Sequence, residues 1–220
     1  MTAGPRRLTA QGQERKQQLL RCAAALFAER GFADTRVVDI VRAAGVAKGL
    51  FYWYFDNKEA LFQELVEDTR RQLRITQAKA MDPLADPLVR LRQASEASVR
   101  FMAEHAHLYA LMRAESLDRR IAGLMREGTS VHATDTVALI REAIDAGLVR
   151  DEEPVALAYG VVGAVAYYAH FNRTGRLPMS VDEVAAFVGR FIVHALAADD
   201  EIAARAGAGM PVGATSVSGR

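Results

Sequence analysis

Apolar residues recur along this chain at the spacing of helical faces, and no segment shows the alternation of a half-buried strand. The first predicted helix lies within residues 15–32, where Gly31 is a typical terminating residue. Its apolar face consists of Leu19, Leu20, Ala23, Ala24 and Phe27.

Two short helices and one long helix are predicted next. Thr35 is expected to cap a short helix that runs to about Ala43, and Gly45 breaks it. A second short helix covers residues 47–54. Asn57 is then expected to cap a helix of about 24 residues, which would be roughly 36 Å long. The apolar side of this long helix consists of Leu61, Phe62, Leu65, Val66 and Leu73.

The rest of the chain also has a helical pattern after a loop marked by two Asp-Pro pairs, at 82–83 and 86–87. The predicted helices cover residues 87–104, 107–114, 119–146, 154–172 and 181–198. We therefore expect an all-α fold with an N-terminal three-helix helix-turn-helix domain and a C-terminal helical domain for ligand binding and dimerisation. The predicted boundaries are 1–11 for a flexible arm, 12–72 and 73–200 for the two domains, and 201–220 for a disordered tail rich in Gly, Ala and Ser.

Charge is distributed unevenly along the chain. Residues 1–58 contain 10 Lys and Arg against 5 Asp and Glu, whereas residues 59–220 contain 18 against 22. A basic N-terminal quarter favours contact with a polyanion, although chance scatter of surface charge is the alternative.

Other features narrow the cellular setting. Cys22 is the only cysteine, which excludes an internal disulfide and fits a reducing compartment; we expect this side chain to serve packing. The N-terminus shows no signal peptide pattern, so a cytoplasmic location is expected. Residues 154–172 approach the length of a membrane span, but their Ala, Gly and Tyr content favours a buried interface helix, and no membrane partner is expected.

The segment "TRVVDIVRAAGVAKGLFYWYF" fits a helix-turn-helix, because two short helices flank a turn that contains Gly45. A small shared core is predicted from Ile40, Val41, Ala44, Val46, Leu50 or Phe51, and Phe55. With Phe51 and Phe55 on the core side, Tyr52, Trp53 and Tyr54 would point outward. Exposed aromatic rings suit a DNA duplex, and a dimer interface or a packed helix is the alternative.

These motifs resemble the TetR family of bacterial transcriptional repressors. The resemblance covers about residues 15–66 and is carried by "LFAERGF", by a threonine followed four residues later by "DI", and by "AAGVAKG", "Y-x-YF" and "KEAL". The remaining two thirds of the chain resemble the family only in general character, as a variable helical domain.

The resemblance implies DNA contacts from residues in and around the two short helices. Lys48 and the backbone N–H groups at the start of the second short helix would face phosphates, as would the Tyr52 hydroxyl and Lys58. Trp53 and Tyr54 would reach bases or backbone. The full predicted set is Thr35, Arg36, Ala47, Lys48, Gly49, Leu50, Tyr52, Trp53, Tyr54 and Lys58.

The sequence also departs from the family pattern. Ala47 replaces the usual Ser or Thr, and Val37 and Val38 occupy positions where a hydroxyl and a base-reading arginine are common. Arg36 is expected to substitute at a different angle. Leu50 replaces a small polar residue and is expected to contact a thymine methyl group.

A largely hydrophobic small-molecule effector is predicted from apolar residues mixed with hydroxyl and imidazole groups. The candidate residues, for each of which plain core packing is the alternative, are Phe101, Met102, Tyr109, Met112, Met125, His132, Tyr167 and Phe171. A homodimer is predicted from small and apolar residues of the last two long helices, which are Ala156, Gly160, Ala164, Val184, Val188, Phe191 and Ile192.

We find no pattern of catalytic residues and expect neither an enzyme nor a cofactor. Glu104-x-x-His107 has the spacing of a di-iron ligand pair, but no second such motif exists, so no metal site is expected. The sequence thus predicts a dimeric repressor of a palindromic operator that a hydrophobic effector releases. The alternatives are an all-helical enzyme or metal-binding protein, and a ligand-independent activator of the same fold.

Overall fold

The structure is a computed structural model that describes residues 9–106, residue 109 and residues 134–208. The described part of the chain forms nine helices and no sheet strand, and one isolated antiparallel bridge joins Val149 to Ala197. The predicted all-α fold with an N-terminal helix-turn-helix is therefore confirmed.

The chain divides into two compact units. The first comprises Met1–Arg70 with His107–Met125, and the second comprises Arg71–Ala106 with Arg126–Arg220. Each unit has its own cluster of buried apolar side chains.

The first unit contains three complete helices and the beginning of a fourth. These are α1 (Ala10–Arg30), α2 (Val37–Ala43), α3 (Lys48–Tyr54) and α4 (Lys58–Ala80). Helix α4 begins where predicted, because the Asn57 side chain accepts a hydrogen bond from the Ala60 N–H at 2.7 Å. The core of this unit includes the completely buried side chains of Leu19, Ile40, Phe51, Leu61 and Phe62.

A tight turn sets the geometry between α2 and α3. Gly45 has a φ of 62°, in the left-handed region that favours glycine. The Gln18 side chain donates a hydrogen bond to the Ala44 carbonyl oxygen at 2.9 Å, which connects α1 to the end of α2. The predicted core residues Ile40, Val41 and Ala44 are all buried against this turn.

The second unit contains the end of α4 and five further helices. These are α5 (Pro87–Glu104), α6 (described over residues 134–145), α7 (Pro154–Arg173), α8 (Val181–Leu196) and α9 (Asp200–Ala208). Its core includes Leu88, Val99, Ile140, Val188 and Val193. Asp86 and Ser180 cap α5 and α8 through side-chain oxygens that accept backbone N–H groups.

The chain ends differ from the prediction. Helix α1 begins at Ala10, because the Thr9 hydroxyl accepts a hydrogen bond from the Gly12 N–H, so the predicted arm over residues 1–11 extends too far. Helix α9 occupies the first part of the predicted disordered tail, and it buries Ala203 and Ala206. Of the predicted helices 107–114 and 119–146, only residue 109 and residues 134–146 lie within the described structure, and residues 134–145 of these are helical.

Helix α8 approaches α5 closely at Gly189. A Cβ at this position would lie 2.6 Å from Glu96 Oε1 and 2.8 Å from Glu96 Cγ. Glu96 is held in place by an ion pair with Arg92, whose Nη1 lies 2.7 Å from Oε1. A larger residue here would force the Glu96 and Arg92 side chains to shift, so glycine favours this close packing.

Helix α7 is long and apolar enough to cross a membrane, judged by length and composition alone. Within the second unit it buries Ala158, Val161 and Val165, while Tyr159 and Tyr167 are exposed. Burial of one side only indicates a helix that packs on a protein core and leaves an apolar face uncovered.

Candidate functional site

Helix α3 has a buried face and an exposed aromatic face, as predicted. Phe51 and Phe55 are buried, with their ring centroids 5.6 Å apart. Tyr52 and Trp53 are 50% and 52% exposed, which is unusual for such large rings. The two phenylalanines therefore anchor α3 so that it presents a phenol and an indole to the outside.

Tyr54 does not belong to this exposed face, and its predicted outward orientation is wrong. Its hydroxyl donates a hydrogen bond to the Gly12 carbonyl oxygen at 2.8 Å, and its ring is partly buried against the core of the first unit. The rings of Trp53 and Tyr54 pack edge to face, with their centroids 4.6 Å apart. Tyr54 thus fixes α3 to the first turn of α1 and supports Trp53 from behind.

The beginning of α3 is exposed and carries one cation. Ala47 is the N-cap residue and provides no side-chain cap, as expected from its missing hydroxyl. Lys48 and Gly49 are exposed, and the Lys48 ammonium lies 5.8 Å from the centroid of the Tyr52 ring. Leu50 is half-buried. Lys48 and Tyr52 therefore offer a charge and a hydroxyl group on the same side of α3.

Lys58 is directed inward, toward the loop between α1 and α2. Its ammonium donates to the carbonyl oxygens of Phe32 at 2.5 Å, Ala33 at 3.3 Å and Thr35 at 2.8 Å. It also lies 4.2 Å from the centroid of the Phe32 ring, within the range of a cation–π contact. The structure thus gives Lys58 the role of holding the loop together, in place of the predicted phosphate contact.

The Lys58 ammonium is only partly exposed to solvent. Burial lowers the pKa of its ammonium below the ordinary value, while the carboxylates of Glu59 and Asp34 act in the opposite direction. The three carbonyl oxygens compensate for lost hydration by accepting hydrogen bonds from the charged group.

Thr35 is completely buried, which corrects its predicted roles as a helix cap and as a DNA contact. Its hydroxyl is 2.8 Å from the Gly31 carbonyl oxygen and 3.3 Å from that of Leu26, so it satisfies acceptors at the end of α1. The N-cap of α2 is instead Arg36.

Helix α2 contributes further exposed cations. The Arg36 side chain is 78% exposed, and its backbone N–H donates to the Asp39 carboxylate at 3.1 Å. This hydrogen bond is the main reason that the pKa of Asp39 lies below its ordinary value. Arg42, in the last turn of α2, is exposed as well, although the family pattern did not single it out. Val38 is exposed and Val37 is half-buried.

A cavity of about 330 Å³ lies within the second unit, between α4, α5, α6 and α7. Its apolar lining includes Met81, Leu91, Met102, Leu139 and Val161. Its polar lining consists of Arg74, Gln77, Ser95, Ser98, Asp135 and Thr136. An apolar cavity with a few polar groups is the usual form of a small-molecule site.

The predicted ligand residues overlap little with this cavity. Met102 lines it, whereas Phe101 is buried and stacks on His105, and Tyr167 is 53% exposed. Tyr109 lies in the other unit, where burial raises the pKa of its phenol to about 12.

The remaining predicted ligand residues lie outside the cavity or outside the described part of the chain. Phe171 is half-buried beside Tyr167, with a centroid separation of 5.9 Å. Met112, Met125 and His132 lie outside the described residues. Of the cavity lining, polar residues such as Gln77 and Ser98 were missed, because polar positions on a helix are ordinarily read as solvent-facing.

The predicted dimer residues fall into two groups. Val184, Val188 and Ile192 are buried within their own chain, at 0%, 0% and 2% exposure, so these three predictions are corrected. Ala156, Gly160 and Phe191 are exposed, and Ala164 is half-buried. The exposed set therefore combines part of α7 with one edge of α8.

Groups of three or more potential metal ligands are absent from the part of the chain that the structure describes. His107, the second residue of the Glu104-x-x-His107 motif, lies outside that part. His105 stacks on Phe101 with a centroid separation of 4.0 Å, and its Nδ1 lies 2.9 Å from the Phe101 carbonyl oxygen.

Residues 19–65 match the sequence model of the bacterial regulatory proteins of the tetR family. The chain is 25% identical over 167 residues to the HTH-type transcriptional repressor NicS of Pseudomonas putida, an alignment that covers 74% of this chain and 79% of NicS. It is 29% identical over 157 residues to the repressor KstR2 of Mycobacterium tuberculosis, covering 70% of this chain and 78% of KstR2.

A solved structure gives the same fold. The fatty acid degradation regulator FadR of Bacillus halodurans superimposes with a TM-score of 0.73 at 18% identity, over 88% of this chain and 97% of FadR. The resemblance to the TetR family is thus confirmed, with the sequence match concentrated in the first unit.

Proposed function

Because residues 19–65 match the tetR family model and the chain resembles repressors of that family, we propose that it is a homodimeric transcriptional repressor of the cytoplasm. It binds a palindromic operator, and a hydrophobic small molecule releases it. The observation that carries this proposal is the exposed face of α3, where Tyr52 and Trp53 project from a helix anchored by two buried phenylalanines.

The proposed DNA contacts have two roles: some position the protein on the duplex, and others read the base sequence. The Lys48 ammonium and the Tyr52 hydroxyl bind phosphates, which hold the protein in register without reading sequence. The indole of Trp53 packs against base edges and thymine methyl groups in the major groove. Arg36 and Arg42 add exposed cations from α2 and strengthen binding to any duplex.

The exposed apolar part of α7 and α8 forms the dimer contact. Phe187 and Phe191 are 36% and 44% exposed, with their rings stacked at 6.2 Å, and Tyr168 packs against both. On α7, Gly160 is also open, since no atom lies within 4 Å of a Cβ built there. Exposed aromatic rings and small residues on the same two helices allow a close two-fold contact between copies.

Effector control is a coupling between two binding equilibria. A molecule that occupies the cavity of the second unit and binds better when the protein is off DNA shifts the population toward the released state. A coupling of about 1–3 kcal/mol changes operator affinity about 5- to 150-fold. Helix α4 supplies residues to both units and is the continuous element through which this coupling can act.

Selection of bound sequences from random DNA tests the proposal. The purified full chain is expected to recover a palindrome with half-sites separated by about 34–36 Å or a multiple of that distance. Recovery of sequences without two-fold symmetry would contradict the dimeric reading, and failure to enrich any sequence would contradict sequence-specific binding. An activator would recover the same palindrome, so a reporter gene placed behind it distinguishes repression from activation.

A further inference from the structure

The cavity in the second unit is large enough to hold a small molecule. Its volume is about 330 Å³. A water molecule occupies about 30 Å³ in the liquid, so the space accommodates roughly ten groups of that size. A molecule of about ten non-hydrogen atoms therefore fits within this space.

The charges at the cavity compensate each other. Among the described residues that line it, Arg74 and Asp135 carry the formal charges. Arg74 Nε lies 2.7 Å from Asp135 Oδ2, and Arg74 Nη2 lies 3.0 Å from Asp135 Oδ1. Both carboxylate oxygens thus occupy one edge of the guanidinium. The two side chains are 54% and 44% exposed, so water also surrounds the pair, and neither charge is left bare for an ionic ligand.

The apolar walls make a charged ligand costly. Side chains such as Leu91, Met102 and Val165 cannot replace the hydration of a carboxylate or an ammonium group. With the Arg74–Asp135 pair already formed, no unpaired charge in the described lining offsets that cost.

Gln77 gives the cavity wall a polar group with spare hydrogen-bonding capacity. Gln77 Nε2 donates to Ser98 Oγ at 2.9 Å, and Ser98 Oγ in turn donates to the Ala94 carbonyl oxygen at 2.6 Å. A carboxamide has two N–H donors and an accepting oxygen, so Gln77 retains a donor and an acceptor after this bond. A ligand hydroxyl or carbonyl group can use them.

We propose that the effector is an uncharged amphiphile of about ten non-hydrogen atoms, whose apolar body fills the cavity and whose hydroxyl or carbonyl group binds Gln77. This inference rests on the effector-responsive function proposed above and names the ligand class of that site. Because Arg74 and Asp135 already pair with each other, ionised molecules of the same size bind more weakly.

Four probes of similar size test this class by isothermal titration calorimetry on the full wild-type chain. They are 1-octanol, octanoate, octylammonium and propylbenzene, measured near pH 7.5. We expect 1-octanol to bind at least ten-fold more tightly than octanoate and octylammonium, because only the neutral head avoids breaking the ion pair.

Two variants test the assigned groups. Gln77→Leu keeps the size of the side chain and removes its polar group, so 1-octanol should bind about 3- to 10-fold more weakly while propylbenzene is unaffected. The matched control is Gln72→Leu, an exposed position of the same helix that does not line the cavity. Asp135→Asn removes the carboxylate that pairs with Arg74 and should tighten octanoate binding about 2- to 5-fold, because the pair is half exposed.

The wild-type measurements decide the proposal whether or not a variant folds. Binding of octanoate or octylammonium as tight as that of 1-octanol would overturn it, and so would the absence of binding by all four probes. Operator binding is measured on the same samples by fluorescence anisotropy. A chain that binds its operator yet rejects 1-octanol refutes the ligand class alone, whereas a chain that binds no DNA refutes the function proposed above.

Discussion

Replacing Lys58 with methionine tests whether this lysine stabilises the first unit or binds DNA. In the structure the Lys58 ammonium donates to three carbonyl oxygens in and beside the α1–α2 loop, at 2.5, 2.8 and 3.3 Å. Methionine retains much of the aliphatic stem, so the substitution removes mainly the charge and the hydrogen bonds. The matched control is Lys48→Met, which changes an exposed lysine at the start of α3.

The expected cost follows from the partners that are lost. A hydrogen bond from a charged donor contributes about 1.5–3 kcal/mol, but water can reach part of this site and the three bonds share one donor. The cation–π contact with Phe32 adds about 0.5 kcal/mol at a partly exposed site. We therefore expect Lys58→Met to lower the free energy of unfolding of the first unit by about 2 kcal/mol. Lys48→Met should change it by less than about 0.5 kcal/mol.

Trp53 is the only tryptophan of the chain and lies in the first unit, so its fluorescence during urea denaturation reports on that unit. The salt dependence of operator binding provides the second readout. Loss of one phosphate contact reduces the slope of log affinity against log salt by about 0.9. Lys48→Met should show this reduction, and Lys58→Met should keep the wild-type slope. The reasoning is refuted if Lys58→Met preserves stability and reduces the slope.

Three further substitutions test other parts of the account. Tyr54→Phe loses the hydrogen bond to the Gly12 carbonyl oxygen and should destabilise the first unit by about 1 kcal/mol. Urea unfolding followed by Trp53 fluorescence measures this change, and an unchanged midpoint would count against a stabilising role for that hydrogen bond. Gly189→Ala places a methyl group against Glu96 and should cost about 1–3 kcal/mol in thermal unfolding, and a neutral effect would contradict the close approach of α5 and α8. Phe191→Asp puts a charge on the proposed dimer surface and should yield folded monomers in sedimentation equilibrium, whereas a persistent dimer would place the interface elsewhere.

The first unit was largely predictable because short-range patterns specify it. The spacing of Phe51 and Phe55, the turn at Gly45 and the cap at Asn57 each depend on neighbours a few residues away. What the pattern could not predict is the partner of a donor group. The ammonium of Lys58 can donate to a phosphate or to a backbone carbonyl oxygen, and only the folded loop shows that carbonyl oxygens lie within reach.

The second unit was less predictable because its decisive contacts join distant segments. The spacing of Val184 and Val188 is the same whether their face packs on α5 of one chain or on a second chain, and the structure shows that they are buried within one chain. Gln77 and Ser98 are 21 residues apart on separate helices, so their pairing in the cavity wall leaves no trace in a local pattern.

The exposed aromatic face of α3 is the central claim, and a titration of the selected operator duplex tests it most directly. Fluorescence anisotropy compares the wild-type chain with the Trp53→Ala variant at fixed salt. Each good base contact contributes about 1–3 kcal/mol, so the variant should bind the operator about 5- to 150-fold more weakly while its affinity for unrelated duplex changes little. Equal operator affinity for the two proteins, with the variant folded by circular dichroism, would contradict the account.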